Sequence, residues 1–167
     1  MSRPIRVAIL TISDRCSQGQ AEDTSGPALE KIAIEKLNAT VASTDCVPDS
    51  VDEIQKFVRV MSEPGEDIDL ILTTGGTGLG PRDLTPEAVS PLFDRSAPNL
   101  MELARACTGA QMPRAYLSRG VAGMIGSTLV LTLPGSKKGA TQTLEALVDI
   151  LPHAIDTIRG EPDAHDH

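Results

Sequence analysis

Apolar residues along this chain are concentrated in four segments of strand length, at residues 5–13, 41–47, 69–73 and 127–133. The runs lack the alternation of apolar and polar residues that marks a strand with one face in solvent. Unbroken apolar runs are typical of strands that are covered on both faces, as in parallel sheets. We therefore interpret all four runs as buried strands.

The segments between these runs carry apolar residues three and four positions apart, which is the spacing of an amphipathic helix. Helices are predicted from Pro27 to Leu37, from an N-cap at Ser50 to Met61, from an N-cap at Thr85, over 99–107 and over 141–158. Ser50 is followed three residues later by Glu53, as in a capping box, and Thr85 is followed by a proline. The polar segment 14–26 is predicted to be a loop, and the glycine-rich segment 120–126 a hairpin.

Strands that alternate with helices predict an α/β domain, with a mostly parallel sheet covered by helices on both faces. We expect residues 1–160 to form one such domain and residues 161–167 to form a polar tail. In these folds, ligands bind beyond the carboxyl ends of the strands. Four loops should meet at that edge, beginning at Asp14, Pro48, Gly75 and Gly135.

The formal net charge of −8 argues against nucleic-acid binding, which needs a basic face. With one Tyr, two Phe and no Trp, the chain also lacks aromatic platforms on which single strands could stack. An anionic ligand would therefore depend on backbone N–H groups, a few cations or a metal ion.

Cellular location is suggested by the cysteines and by the absence of long apolar stretches. Cys16, Cys46 and Cys107 are odd in number and widely spaced, which favours free thiols over a disulfide framework or a zinc site. There is no recognisable signal peptide and no apolar run near the ~20 residues that span a bilayer. These features predict a cytoplasmic protein that does not associate with membranes.

The third strand leads directly into a glycine-rich loop that contains Gly75, Gly76, Gly78 and Gly80. Glycine allows positive φ angles and close approach of a ligand, so successive N–H groups can form an anion-binding nest. The loop is not a Walker A motif, because Pro81-Arg82-Asp83 stands where Gly-Lys-Ser/Thr is required, and its glycine spacing does not fit a dinucleotide fingerprint. Phosphate binding is one interpretation; a tight strand-to-helix turn without a ligand is the other.

Carboxylates follow three of the predicted strands: Asp14 the first, Asp49 the second and Asp83 the third. If the strands are parallel neighbours, Asp49 and Asp83 converge. Two carboxylates together with phosphate oxygens and water suit Mg²⁺. Taken singly, each acid is equally consistent with a turn residue or a helix cap.

Histidines are few, and two of the three, His165 and His167, lie in the polar tail. With only His153 remaining, a Ser-His-Asp or Cys-His nucleophile is disfavoured. The remaining chemistry is substrate positioning with metal electrostatics, as in phosphoryl and nucleotidyl transfer. Lys137 and Lys138 are consistent with a phosphate contact or with a solvated pair.

Motifs spread over nearly the whole chain resemble those of the molybdopterin adenylyltransferases, which include the gephyrin N-terminal domain and bacterial and plant relatives. The matching strings are Thr11-Ile12-Ser13-Asp14, Val47-Pro48-Asp49, residues 72–78, residues 81–88, Leu117-Ser118-Arg119, residues 133–139 and residues 151–156. The resemblance implies a three-layer α/β/α domain that usually forms a trimer. It implies transfer of AMP from ATP to the terminal phosphate of molybdopterin, with release of pyrophosphate, and handover of the product to a molybdate-inserting enzyme.

Matched position by position, the resemblance implies that Asp49 and Asp83 are the catalytic acids and hold Mg²⁺. The residues implied to contact nucleotide or pterin are Ser13, Asp14, Thr74, Gly75, Gly76, Thr77, Gly78, Ser118, Gly135 and Ser136. Two segments depart from the family pattern. Residues 123–126 read Gly-Met-Ile-Gly where Gly-Ile-Arg-Gly is common, and residues 95–99 read Arg-Ser-Ala-Pro-Asn where Arg-Glu-x-Pro-Gly is common. The alternative function is a non-catalytic pterin-binding or scaffold module of the same fold.

Overall fold

A six-stranded sheet forms the centre of the computed structural model, which describes residues 3–161. The strands are β1 (Arg6–Ile12), β2 (Thr40–Val47), β3 (Leu70–Thr74), β4 (Arg95–Ser96), β5 (Ala122–Ile125) and β6 (Thr128–Leu133). They lie in the order β2-β1-β3-β6-β5-β4; the first four are parallel, and β5 and β4 add an antiparallel edge. The predictions of a mostly parallel sheet and of a hairpin near 120–126 are confirmed.

Helices cover both faces of this sheet. The helices are α1 (Asp14–Ser17), α2 (Ser25–Leu37), α3 (Val51–Met61), α4 (Thr85–Val89), α5 (Pro98–Gly109), α6 (Lys137–Glu145) and α7 (Leu151–Arg159). Buried residues of α2, α5, α6 and α7 pack on one face, and those of α3 and α4 pack on the other. The expected three-layer α/β/α architecture is therefore confirmed. No helix within residues 3–161 is long and apolar enough to cross a membrane.

The central strands are buried on both faces, which explains their unbroken apolar sequences. In β1, Val7 and Ile9 face the α2 side, whereas Ala8 and Leu10 face α3. The interpretation of residues 41–47 as a buried strand is wrong. β2 lies at the edge of the sheet, and Val47 is its only buried residue, whereas its other side chains are exposed or half-buried.

Two segments differ from their predicted secondary structure. The segment 14–26, predicted as a loop, contains the short helix α1 and the first residues of α2. The single helix predicted over 141–158 is two helices, α6 and α7, separated by a turn at 146–150. Pro152 lies in the first turn of α7, where its missing N–H is tolerated; inside a continuous helix it would remove a hydrogen bond.

Of the two predicted N-caps, one is confirmed and the other is wrong. Ser50 caps α3, and its hydroxyl accepts a hydrogen bond from the Glu53 N–H at 3.4 Å. The prediction that Thr85 is the N-cap of the next helix is wrong, because Leu84 occupies that position. Thr85 is fully buried, and its hydroxyl instead donates to the Gly75 carbonyl at 2.8 Å. Most of the predicted polar tail, including His165 and His167, lies outside the described residues.

The amino end of the sheet is closed by ion pairs around Asp69, which is 4% exposed. The Arg159 guanidinium donates to both carboxylate oxygens, at 3.0 and 2.7 Å, and Arg3 also donates to both, at 2.9 Å. Burial raises the pKa of Asp69, but hydrogen bonds from Arg159, the Arg6 backbone and Arg3 outweigh it and hold the pKa below its ordinary value. These contacts connect three segments: Arg3 near the start of the chain, Asp69 just before β3, and Arg159 of α7.

Replacing Asp69 with Asn should lower the free energy of unfolding at pH 7 by roughly 3 kcal/mol, because the buried guanidinium of Arg159 and the more exposed guanidinium of Arg3 lose their carboxylate. Urea denaturation of the wild-type and variant proteins measures this difference. Because the folded-state pKa of Asp69 is lowered, Asp69 contributes fully to the free energy of unfolding at pH values above its ordinary pKa. That contribution is lost as the pH falls through the folded-state pKa. The difference should therefore shrink when both proteins are acidified below pH 4.

Asp67→Asn is the matched control, since Asp67 also pairs with Arg3 but its side chain is 61% exposed. Its cost should stay below about 1 kcal/mol. Equal losses for the two variants would contradict the assigned role of Asp69.

Candidate functional site

Four loops meet at the carboxyl edge of the sheet, as the sequence pattern predicted. The strands end at the same level, since Thr11 of β1 is in register with Thr74 of β3, which is in register with Leu133 of β6. The Ser13 N–H donates to the Val47 carbonyl at 2.9 Å, and the Gly75 N–H donates to the Leu133 carbonyl at 3.1 Å. The segments after β1, β2, β3 and β6 are therefore held side by side.

The glycine-rich loop turns sharply at Gly75 and Gly76, whose φ angles are +108° and +69°. A Cβ atom on Gly75 would lie 2.1 Å from the Ile12 carbonyl oxygen, and one on Gly76 would lie 2.3 Å from Thr85 Oγ1. Both positions thus require glycine for conformation and for space. Thr85, which sequence analysis assigned to a cap, forms part of the wall that closes the turn.

Beyond this turn, the backbone offers a row of free hydrogen-bond donors. Within residues 3–161, the consecutive N–H groups of Gly76, Thr77, Gly78 and Leu79 donate no hydrogen bond to the protein. Successive N–H groups next to a positive-φ residue make a nest that binds anions. The loop therefore has the donor pattern that the glycine content suggested.

Arg119 fixes the shape of this loop. Its guanidinium donates to the Gly78 carbonyl at 2.8 Å and to the Asp83 carbonyl at 2.8 Å, and its backbone N–H donates to the Thr77 carbonyl at 2.7 Å. It also pairs with Glu87 of α4. Sequence analysis gave Arg119 no role of its own, because the residue lies 36 positions from Asp83 and only the fold brings them together.

A second group of residues links the loops that follow β1 and β2. The Asp14 N–H donates to Asp49 Oδ2 at 3.1 Å, and the Asp49 N–H donates to Asp14 Oδ1 at 3.0 Å. Arg82, from the glycine-rich loop, donates through Nε to Asp14 Oδ2 at 2.6 Å and through Nη2 to the Asp49 carbonyl at 3.3 Å. These bonds connect three of the four loops, and sequence analysis had not assigned Arg82 a role.

The acids in this group differ in their electrostatic environments. The hydrogen bond from Arg82 holds the pKa of Asp14 below its ordinary value, helped by the Asp49 N–H. Burial raises the pKa of Asp49, and the negative charges of Asp14 and Asp83 act in the same direction. Asp83 accepts a hydrogen bond from the Gly80 N–H at 2.8 Å through Oδ2. Asp49 and Asp83 therefore border the same loop and interact electrostatically.

A cleft of about 440 Å³ opens on the other side of the glycine-rich loop. Seven of the predicted site residues line it: Gly76, Thr77, Gly78, Asp83, Ser118, Gly135 and Ser136. The other five, Ser13, Asp14, Asp49, Thr74 and Gly75, lie outside its lining. Asp49 remains next to the cleft, since its Oδ1 would lie 3.3 Å from a Cβ on Gly76.

Several of the predicted binding residues have structural hydrogen bonds. Ser13 caps α1 by accepting from the Cys16 N–H, and Ser136 caps α6 by accepting from the Gly139 N–H. The Thr74 hydroxyl donates to the Pro134 carbonyl at 2.7 Å. These bonds fix the ends of the loops that surround the cleft.

The cations of the cleft were not among the predicted residues. Arg105 and Arg114 line it, whereas Lys137 and Lys138 do not. Arg105 donates to the carbonyls of Ser118 and Gly120, which holds the segment between α5 and β5 in place. The two segments that depart from the family pattern pair with each other across β4 and β5, where Arg95 is in register with Met124 and Ser96 with Gly123. None of these four residues lines the cleft.

Comparisons with known proteins agree with this geometry. Residues 8–153 match the family model described as a probable molybdopterin binding domain. The chain is 41% identical to the molybdenum cofactor synthesis protein cinnamon of Drosophila melanogaster, over 92% of this chain and 26% of the fly protein. It is 37% identical to a molybdopterin adenylyltransferase of Helicobacter pylori, over 93% of this chain and 89% of that protein.

Solved structures show the same likeness. The molybdopterin biosynthesis enzyme MoaB from Thermus thermophilus superposes with a TM-score of 0.88 at 47% identity, and the match covers 95% of this chain and 98% of that one. The chain spans about a quarter of the length of the longest of these relatives and nearly all of the shorter ones. This chain belongs to the molybdopterin-binding domain family of molybdenum cofactor biosynthesis.

Replacing Gly76 with Ala should lower the free energy of unfolding by about 3 kcal/mol, because the new methyl group meets Thr85 Oγ1 in a strained backbone conformation. Gly19→Ala is the control, since Gly19 has a φ of +72° but nothing lies within 4 Å of its Cβ position. That variant should lose only about 1 kcal/mol. Chemical denaturation compares the two, and equal losses would show that crowding at Gly76 has no effect.

Proposed function

We propose that this protein is a molybdopterin adenylyltransferase, which transfers AMP from ATP to the terminal phosphate of molybdopterin and releases pyrophosphate. The row of four free N–H groups at the glycine-rich loop, next to the cleft and to the acids Asp49 and Asp83, carries the proposal. Both substrates are phosphorylated, whereas the chain carries a formal net charge of −8. Backbone donors in a nest provide local binding for phosphate.

The family relationship supports the same reaction. The relative from Helicobacter pylori is named a molybdopterin adenylyltransferase, and this chain covers 89% of its length. The Thermus thermophilus relative, named as the biosynthesis enzyme MoaB, is also close. Fold alone does not decide between an enzyme and a binding module, so the proposal depends on the residues of the site.

The acids fit a divalent metal ion in their chemistry. Asp49 and Asp83 each use Oδ2 in a hydrogen bond to a backbone N–H, which leaves the two Oδ1 atoms as acceptors. Within residues 3–161, no group of three or more His, Cys, Asp or Glu side chains could hold a metal ion. Two carboxylates completed by phosphate oxygens and water are the ligands that Mg²⁺ prefers. Bound Mg²⁺ would neutralise negative charge on the reacting phosphates.

The reaction is a substitution at the α-phosphorus of ATP. An oxygen of the molybdopterin phosphate forms the new bond to this phosphorus, and the bond from the phosphorus to the oxygen that bridges to the β-phosphate breaks. The departing pyrophosphate carries that oxygen away, so no oxidant or reductant is needed. In this scheme the N–H groups of residues 76–79 would bind phosphate oxygens, and Asp49 and Asp83 would hold the metal ion. Fixing two anionic substrates next to each other supplies the orientation.

The remaining parts of the proposal concern assembly. We expect a homotrimer that acts on free ATP and molybdopterin and passes its product to a molybdate-inserting enzyme. Multi-angle light scattering of the purified protein should give three times the 17.6 kDa chain mass. A monomeric mass would contradict the trimer.

Incubation with molybdopterin, Mg²⁺ and α-labelled ATP should yield labelled adenylylated molybdopterin and pyrophosphate. Asp83→Asn and Asp49→Asn should each lower kcat about a hundredfold or more, because a neutral amide binds the metal ion that neutralises the phosphate charge much less tightly than a carboxylate does. The amide oxygen can still accept the backbone hydrogen bond, so the loop should keep its shape. Asp52→Asn, on the exposed first turn of α3, is the control and should keep wild-type turnover.

Normal turnover in Asp83→Asn would contradict the assigned role of that residue. A wild-type protein that binds molybdopterin but forms no adenylylated product would instead favour the non-catalytic pterin-binding or scaffold module.

A further inference from the structure

The two acids that border the glycine-rich loop are carried by different parts of the chain. Asp49 follows β2, whereas Asp83 belongs to the loop that follows β3. In the sheet, β1 separates these two strands, since it pairs with β2 on one side and with β3 on the other. The distance between the two carboxylates therefore depends on contacts that are made beyond the ends of the strands.

Asp83 is fixed within its own loop. Its Oδ2 accepts a hydrogen bond from the Gly80 N–H at 2.8 Å, and its carbonyl accepts one from the Arg119 guanidinium at 2.8 Å. Both the side chain and the backbone of this acid are thus tied to the glycine-rich loop, so Asp83 moves together with that loop.

Asp49 is fixed to Asp14 by a reciprocal pair of hydrogen bonds. The Asp14 N–H donates to Asp49 Oδ2 at 3.1 Å, and the Asp49 N–H donates to Asp14 Oδ1 at 3.0 Å. The first of these bonds holds the Asp49 carboxylate itself. The other carboxylate oxygen, Oδ1, lies towards the glycine-rich loop, 3.3 Å from where a Cβ atom on Gly76 would stand.

Arg82 joins these two units. Its Nε donates to Asp14 Oδ2 at 2.6 Å, and its Nη2 donates to Asp14 Oδ1 at 3.1 Å and to the Asp49 carbonyl at 3.3 Å. Within residues 3–161, no other hydrogen bond or ion pair links residues 76–83 to the segments 13–18 and 48–50. Since Arg82 directly precedes Asp83, a continuous line of contacts runs from one acid to the other through Arg82 and Asp14.

The ion pair at the centre of this line is exposed. The side chain of Arg82 is 66% exposed and that of Asp14 is 30% exposed. Exposed ion pairs contribute little to stability. A guanidinium that binds both oxygens of a carboxylate nevertheless fixes direction as well as distance. The contact between Arg82 and Asp14 therefore has a larger effect on the geometry of the loops than on the stability of the fold.

We propose that Arg82 and Asp14 are positioning residues, which set the separation of Asp49 and Asp83 and thereby the affinity of these two acids for a divalent metal ion. The assignment rests on the proposed function for the role of the metal ion. It gives Asp14 a different role from the ligand contact that the family resemblance implied. Residues that orient metal ligands typically change metal affinity or activity about 10- to 100-fold when they are replaced.

Titration of the full chain with Mn²⁺, without substrates and with free Mn²⁺ measured by electron paramagnetic resonance, tests the assignment. Arg82→Met and Asp14→Asn should each raise the Kd for Mn²⁺ about tenfold. The amide oxygen of Asp14→Asn can still accept from the Asp49 N–H, but the charge that Arg82 binds is lost. Because both changes break the same contact, the double variant should bind Mn²⁺ no more weakly than the weaker of the single variants.

The direction of the two effects separates positioning from simple charge. If charge alone acted on the metal ion, Arg82→Met would tighten Mn²⁺ binding, since it removes a positive charge, and Asp14→Asn would weaken it. Positioning requires both variants to bind more weakly. Arg82→Lys keeps the charge but loses the planar fork, so its Kd should lie between those of the wild type and Arg82→Met.

Matched controls come from exposed residues of α3. Arg59→Met and Asp52→Asn remove the same charges at a distance from the loops and should bind Mn²⁺ like the wild type. The urea midpoint of Arg82→Met should stay close to that of the wild type, because the ion pair is exposed. A large fall in this midpoint, in step with the loss of Mn²⁺ affinity, would overturn the positioning role in favour of a structural one.

Tighter Mn²⁺ binding by Arg82→Met, or unchanged affinity in both single variants, would overturn the assignment. Independent losses that add up in the double variant would also overturn it, as would a wild-type protein that does not bind Mn²⁺. Because binding is measured without turnover, the two proposals fail separately. The expected pattern of affinities in a protein that makes no product would support the positioning role and contradict the adenylyltransferase, whereas turnover with unchanged affinities would do the reverse.

Discussion

Parallel hydrogen bonding among β2, β1, β3 and β6 is the constraint on which the candidate site depends. It ends these strands at one level and brings the segments that follow them to the same edge of the sheet. Bonds such as Ser13 N–H to Val47 O and Gly75 N–H to Leu133 O extend this order into the loops. Residues as distant in sequence as Asp14, Asp49, Asp83 and Ser136 become neighbours for this reason, as in other parallel α/β sheets.

Arginine side chains then give the loops their fixed shapes. Arg119 joins both ends of the Gly78–Asp83 segment, Arg105 holds the carbonyls of Ser118 and Gly120, and Arg82 connects the glycine-rich loop to Asp14. The planar guanidinium has five donors and can serve several carbonyls at once, which lysine cannot do in a fixed geometry. Because these three guanidinium groups bind carbonyls or carboxylates, the donors that the glycine-rich loop itself can offer to a phosphate are its backbone N–H groups. A protein of net charge −8 can offer hydrogen-bond donors to an anion in this way.

The buried ion pairs and the loops of the candidate site lie at opposite ends of the same sheet. The Asp69 ion pairs with Arg3 and Arg159 close the amino end, whereas the carboxyl end keeps the positive-φ turn at Gly75 and Gly76 and unpaired donors. Backbone strain and unsatisfied groups cost stability and are concentrated where ligands bind. The buried carboxylate at the other end offsets part of that cost by joining β3 to both ends of the described chain.

Sequence alone determined the features that arise from local pattern. The apolar runs identified the central strands, and the glycines at 75 and 76 indicated a turn with positive φ. The acids after three of the strands indicated the edge of the sheet where the loops meet. Tertiary structure decided what depends on neighbours in space. It made β2 an edge strand, turned Thr85 from a cap into a wall of the glycine-rich loop, and brought Arg119 to Asp83. It also brought Arg105 and Arg114 to the wall of one cleft. Periodicity and turn chemistry are properties of a few consecutive residues, whereas a side chain's partners depend on contacts between distant segments, which only the packed fold specifies.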